Sequence, residues 1–143
     1  MDVDVVVVGA GPVGLMLAGE LRLGGATPLV VERLPEPSRE RKARGVGALA
    51  TEALQRRGLG ERIAEHHAQG LADLARDHGS QKGHFAWIHK IDPELQDEPD
   101  RRYSLIWQPD LERILGEHVD ALGVPVRRDH TLTGFVQDEH GVT

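Results

Sequence analysis

Gly9, Gly11 and Gly14, spaced as Gly-x-Gly-x-x-Gly, and the acid Glu32, 18 positions after the last of them, carry the clearest chemical signal in this 143-residue chain. Glycines at that spacing let a chain turn tightly, bring bare backbone up to a ligand, and seat a helix close against a strand. A helix opening at Pro12 and Val13 would aim unpaired N–H groups and its positive dipole end at an anion such as a diphosphate. An acid roughly 20 residues further on is placed to hydrogen-bond a ribose hydroxyl. Gly9, Gly11, Pro12, Val13, Gly14 and Glu32 therefore make up a candidate dinucleotide cradle.

Other chemistries find less support. The chain has no cysteine, which removes disulfides, thiolate zinc sites and cysteine nucleophiles. Ser38, Ser80 and Ser104 sit in no Gly-x-Ser-x-Gly elbow, so a hydrolase is not indicated. Of the eight histidines, His66 and His67 are adjacent, and His84 and His89 would fall on opposite faces of a strand. They read as solvated surface residues, with no metal site. The sequence assigns no catalytic base or nucleophile.

The elements that must position the cradle follow from the hydropathy pattern. Val5-Val6-Val7-Val8 reads as a buried parallel strand, and Pro12 to Leu23, apolar on nearly all sides, as a helix buried between two layers. Gly24-Gly25 ends it, and Pro28 to Val31 is a second strand tipped by Glu32. Leu34 to Arg44, dense in proline and charge, is a loop. Gly47 to Arg57 predicts a helix with Leu49, Ala50, Ala53 and Leu54 on one face, followed by a shorter helix over Leu59 to Glu65. Gly70 to Ile91 suits two antiparallel strands, Asp92 to Arg102 an exposed connection, and Tyr103 to Trp107 a short strand. Asp110 is expected to N-cap an amphipathic helix carrying Leu111, Ile114, Leu115, Val119 and Leu122. Val124 to Arg127 would be a third parallel strand, at a sheet edge because of Pro125, and Thr131 to Gln137 begins a hairpin. Trp87, Trp107 and Tyr103 read as core or pocket wall. The expected fold class is α/β: a doubly wound, Rossmann-like parallel sheet with an added antiparallel segment, incomplete at its C-terminal end.

The net charge of −6 and pI near 5.7 leave no broad basic field for nucleic acid. Arg39, Arg41, Lys42 and Arg44 form one local basic stretch, which reads as a solvated loop. No apolar run nears the roughly 20 residues needed to cross a bilayer, so no membrane is expected and the cytoplasm is the default.

Val5 to Gly14, Glu32-Arg33, Arg44-Gly45-Val46-Gly47, Gln55-Arg56-Arg57-Gly58, and Gln108 with Leu111 to Leu115 resemble the N-terminal part of the flavin-dependent aromatic hydroxylases. Within that group the chain is most similar to the polyketide hydroxylases of antibiotic biosynthesis. The resemblance runs over essentially all 143 residues. It implies FAD as cofactor, with Gly9, Gly11 and Gly14 at the pyrophosphate and Glu32 at the adenosine ribose. Arg33 is implied near the adenine end, Arg44 at the flavin phosphates and ribityl region, and Gln108 at the ribityl chain. It also implies NADPH and O2 as co-substrates and a small aromatic substrate. Residues 70–107 would be an insertion toward the substrate side, and 131–143 the start of a hairpin. The family's later Asp-Gly and Gly-Asp segments are not found in the chain. What is present amounts to half a flavin site, expected to hydroxylate little alone and to be joined by the remainder of a longer chain. Two other readings stay open: an NAD(P)-dependent dehydrogenase, which the long loop from Arg33 to Gly47 disfavours, and a non-catalytic nucleotide-binding remnant.

Overall fold

A computed structural model describes the backbone of residues 3–78, 83–85, 88–91 and 103–143, with side chains described for 3–72 and 103–143. In chain order the elements are β1 (Val5–Val8), α1 (Pro12–Leu23), β2 (Pro28–Val31), β3 (Gly45–Val46), α2 (Ala48–Arg56), α3 (Gly60–His78), β4 (Gly83–Phe85), β5 (Ile88–Ile91), β6 (Ser104–Leu105), α4 (Gln108–Ala121), β7 (Val126–Arg127), β8 (Gln137–Asp138) and β9 (Gly141–Val142). They fall into two compact units, residues 1–40 with 111–143, and residues 41–110.

The first unit is built on a parallel sheet of order β1-β2-β7. Val5 to Val8 pair in register with Pro28 to Val31, and Val30 and Val31 pair with Val126 and Arg127. Pro125 is tolerated because β7 is the sheet edge: its carbonyl accepts from Val30 N–H at 3.0 Å, and the missing N–H would have faced outward. Val7, Val30, Leu15 and Ala18 form the core with Ile114, Leu115 and Val119 of α4. Gly19 of α1 is buried, and a Cβ there would stand 3.5 to 3.6 Å from His118 and Val119, so the missing side chain sets how close α4 lies. Gly123, at φ +71°, closes α4 with Gly123 N–H and Val124 N–H bonded back to Asp120 and Val119 carbonyls.

Two expectations about this unit need correction. β1 and α1 are not buried on both sides: Val6 and Val8 are 49% and 57% exposed, and Val13, Leu17 and Leu23 also face out. The period-2 pleat sends Val7 to the face that α1 covers and Val6 and Val8 to the opposite one. The strand expected over Thr131 to Gln137 is confined to Gln137–Asp138, extended by reciprocal Val136–Thr143 backbone bonds of 2.8 and 2.9 Å.

In the second unit, β3 and β6 pair antiparallel, Gly45 opposite Leu105 and Val46 opposite Ser104, and α2 and α3 pack together. Gly58, at φ +75°, separates those helices. Of the expected apolar stripe of α2, Leu54 is buried, with Thr51 beside it, whereas Leu49 is 73% exposed. α3 runs on through Gly70 to His78 where a helix ending at Glu65 followed by strand was expected. Gly70 is retained inside the helix because a Cβ there would lie 2.8 Å from Leu105 Cβ, so its bareness admits β6 rather than ending α3. β4 and β5 do pair antiparallel, as expected for the second half of that segment. The side chains of His84 and His89, together with Trp87 and the connection Asp92 to Arg102, lie outside the described residues.

α4 begins at Gln108, with Pro109 in its first turn, so Asp110 lies inside the helix rather than capping it. Its carboxylate still sits where the helix dipole favours negative charge.

Candidate functional site

The glycine turn takes its shape from three separate constraints. Gly9 has φ +105°, a conformation open to glycine and resisted by side chains, and its N–H is bonded to Val31 O at 2.8 Å. Gly14 is a packing requirement: a Cβ there would fall 2.0 Å from Gly9 O and 3.4 Å from Val7 Cγ1. Gly11 differs from both. It is the N-cap of α1 in an extended conformation (φ −77°, ψ 179°), as the following Pro12 demands, and a Cβ built on it meets nothing within 4 Å. Pro12 starts the helix with φ pre-set and no N–H to leave unpaired. No side chain caps α1, so its first-turn amides have no partner within the helix. Val13, the next residue of the helix, is 82% exposed.

Glu32 closes the cradle. Its Oε2 accepts from Ala10 N–H at 2.8 Å and its Oε1 from Leu34 N–H at 2.9 Å. The carboxylate thus ties the glycine turn to the end of β2, and lone pairs remain on both oxygens for further donors such as ribose hydroxyls. The Leu34 N–H bond, opposed by partial burial and aided by the Ala10 N–H and the charges of Arg128 and Arg33, holds this carboxyl below the ordinary glutamate value. Arg33 itself is exposed.

A depressed native pKa means Glu32 contributes stability that is complete above the unfolded glutamate value of 4.5 and is lost as pH falls through the lower native value. Glu32→Gln removes that dependence and sets an amide N–H₂ against a backbone N–H, an expected loss of about 1 kcal/mol at pH 7. Urea midpoints measured from pH 7 down to pH 3 check this. The variant should fall less steeply than the parent below pH 4.5, and parallel curves would show that the carboxylate contributes nothing.

Arg44 and Gln108 belong to the second unit, where they are close neighbours along facing chains. Gln108 N–H donates to Ala43 O at 3.0 Å. The Arg44 guanidinium carbon lies 5.1 Å from the centre of the Trp107 ring, and the Arg44 Nε is buried without a hydrogen-bond partner. Arg41 lies over the same ring at 4.9 Å. Arg41, Arg44 and Trp107 line a pocket of about 220 Å³ together with His66, Gln69 and Asp110, and Gln108 does not belong to its lining. Trp107 is thus a pocket wall, one of the two roles its sequence position allowed. Arg41 belongs to the basic stretch that read as a solvated loop, and only the approach of β6 to that loop brings it onto an aromatic face. His66 and His67 also differ from expectation, whereas His130 and His140 are exposed as expected. His67 Nδ1 accepts from Leu105 N–H at 3.0 Å, and His66 Nδ1 is 3.9 Å from Asp110 Oδ2. Replacing His67 by Leu would leave the Leu105 N–H unpaired, with an expected loss of roughly 1–3 kcal/mol in thermal or urea unfolding.

A parallel strand, a glycine turn, a helix with its open end at that turn and an acid at the tip of the next strand define a dinucleotide-cradling α/β domain. Residues 2–143 match the family model described as FAD binding domain, and the chain belongs to that family. The rifampicin monooxygenase of Streptomyces venezuelae is 41% identical over 141 residues, which cover 98% of this chain and 28% of that enzyme. The 12-dehydrotetracycline 5-monooxygenase/anhydrotetracycline 6-monooxygenase of Streptomyces rimosus is 41% identical over 145 residues, covering 100% of this chain and 27% of its own. The solved structure of the anhydrotetracycline hydroxylase OxyS from Streptomyces rimosus matches with a TM-score of 0.79 at 40% identity, over 99% of this chain and 27% of that one. The chain spans little more than a quarter of the length of these relatives.

Proposed function

We propose that the chain is the nucleotide-gripping part of a flavin-dependent monooxygenase that hydroxylates an aromatic, polyketide-like substrate using NADPH and O2. The observation that carries this reading is the Glu32 carboxylate bonded to Ala10 N–H beside an uncapped helix start, in a chain of the FAD binding domain family. The fit to a dinucleotide is physical: a Cβ on Gly11 would meet nothing within 4 Å, and the start of α1 carries no side-chain cap.

FAD, when bound, supplies the redox chemistry, and these residues bind and orient it. Gly9, Gly11, Val13 and Gly14 would present backbone to the diphosphate, with Pro12 fixing the helix start, and Glu32 would hold the adenosine ribose with Arg33 toward the adenine. Arg44 would contact the flavin phosphates and ribityl region, and Gln108 the ribityl chain. Residues 70–107 would serve the substrate side and 131–143 would open a further β element. Relatives named for rifampicin and anhydrotetracycline support a polyketide-like substrate. The exposed Val6 and Val8 face of the sheet would be covered by the remainder of a longer chain, consistent with relatives more than three times its length. No helix among the described residues is long and apolar enough to cross a membrane; a cytoplasmic location, where NADPH is at hand, is part of the proposal.

The test is a titration of the chain with FAD, followed by flavin fluorescence quenching and the visible spectrum, beside NADH and NADPH. Saturable FAD binding is expected, with little hydroxylation by the chain alone. Tight NADH binding with no retained flavin would replace this reading by the dehydrogenase one.

A further inference from the structure

We propose that His67 is a pH-sensitive positioning residue for Arg44 and Gln108: its neutral imidazole holds β6 against α3, and protonation releases that strand. The inference rests on the flavin-enzyme reading for what Arg44 and Gln108 serve; the clasp itself stands on the geometry of the second unit.

A backbone N–H can only donate, so the 3.0 Å bond from Leu105 N–H to His67 Nδ1 makes that nitrogen the acceptor. The ring must then be neutral, with its proton on Nε2. An imidazolium carries a proton on both nitrogens and at this place would set N–H against N–H. The bond therefore favours the neutral ring, so it is present at high pH and is lost as pH falls through the range in which imidazoles gain a proton.

The strand leans on this bond. Its sheet has only two strands, so β3 alone pairs with β6, and the Leu105 N–H is answered by a side chain instead of a third strand. Gly70, one turn along α3 from His67, seats the same residue, since a Cβ there would lie 2.8 Å from Leu105 Cβ. β6 also connects directly to the proposed flavin contacts. Gly45, the pairing partner of Leu105, follows Arg44, and Gln108, three residues beyond Leu105, donates its N–H to Ala43 O at 3.0 Å. A β6 that leaves α3 disturbs both.

Among the described residues, the elements packed against α3 bring several charged or titratable groups. α2 carries Glu52 and Arg56, which pair with each other, and Tyr103 enters β6. α3 itself carries Glu61, Arg62, Glu65 and His66, with His66 Nδ1 3.9 Å from Asp110 Oδ2 in the pocket that Arg41 and Arg44 also line. His66 is thus the neighbouring ring whose titration must be separated from that of His67.

The test follows the Leu105 amide by NMR from pH 8 to pH 5 and measures FAD affinity over the same range by flavin quenching. The Leu105 resonance is expected to move with His67 protonation and to lose protection from hydrogen exchange, while FAD affinity weakens about tenfold, the worth of one such bond. His67→Leu, which offers no acceptor, should bind FAD weakly at every pH. His67→Asn, whose Oδ1 can accept the same N–H without titrating, should restore binding and remove the pH dependence. His66→Asn should keep the parent's profile. A Leu105 amide indifferent to His67 protonation, or a His67→Asn profile parallel to the parent's, would overturn the inference, and so would a profile abolished by His66→Asn. The parent's Leu105 profile needs no substitution, so a variant that fails to fold leaves the clasp testable. FAD bound equally at pH 8 and pH 5 beside a Leu105 amide that follows pH defeats this inference alone. No FAD binding by the parent at any pH defeats the flavin reading, and the positioning role with it.

Discussion

Gly11→Val is expected to weaken FAD binding on the order of 100-fold or more while leaving the fold intact. The two halves of that statement have one cause. A Cβ at position 11 meets no protein atom within 4 Å, so the new side chain enters open space, where the proposed diphosphate would sit. The backbone there is extended, at φ −77° and ψ 179°, a region that a β-branched residue adopts without strain. Losing even two charge-assisted hydrogen bonds from first-turn amides removes about 3 kcal/mol, and each 1.4 kcal/mol is a factor of ten. Flavin quenching gives the affinity, and thermal unfolding of the flavin-free chain, expected within about 0.5 kcal/mol of the parent, gives the stability. Undiminished affinity would move the diphosphate elsewhere.

Gly14→Ala should do the reverse, breaking the unit before any ligand is considered. Its Cβ would be 2.0 Å from the carbonyl oxygen of Gly9, which belongs to backbone already held by the Gly9 N–H to Val31 O bond. Neither partner can swing aside. α1 must slide off β1, opening the core at Leu15, Ala18 and Val7, and overpacking of this kind costs about 3 kcal/mol or more. A fall in Tm of roughly 10 °C is expected for a chain of this size, with lost flavin binding as a consequence. A melt unchanged from the parent would show that the helix seats against the strand differently. The pair of substitutions separates the two proposed roles: Gly14 spaces the protein, and Gly11 would space the ligand.

Much of the first unit was legible because its information is local. Four consecutive valines, a glycine turn, Pro12 at a helix start, Gly123 at a helix end and Pro125 at a sheet edge each act through the few residues beside them. The long loop after Glu32 was legible for the same reason, since its prolines forbid a helix. The departures share the opposite property. Gly70 read as the start of a strand segment and lies inside α3, where its missing side chain makes room for Leu105 of β6, 35 residues away in sequence. Leu49 looked like core and is exposed, because which face of α2 is buried depends on where α3 lies. His67 looked like a solvated residue and holds the Leu105 N–H.

Residue order alone determined the nucleotide cradle: the spacing of Gly9, Gly11, Gly14 and Glu32 places backbone and acid within one strand–helix–strand unit, where connection lengths leave little choice. Tertiary structure decided which glycine the packing requires, Gly14, and which leaves open space beside it, Gly11, and it brought Arg41 and Arg44 to Trp107. Those outcomes depend on distances between segments that sequence separates by tens of residues, and only packing sets such distances.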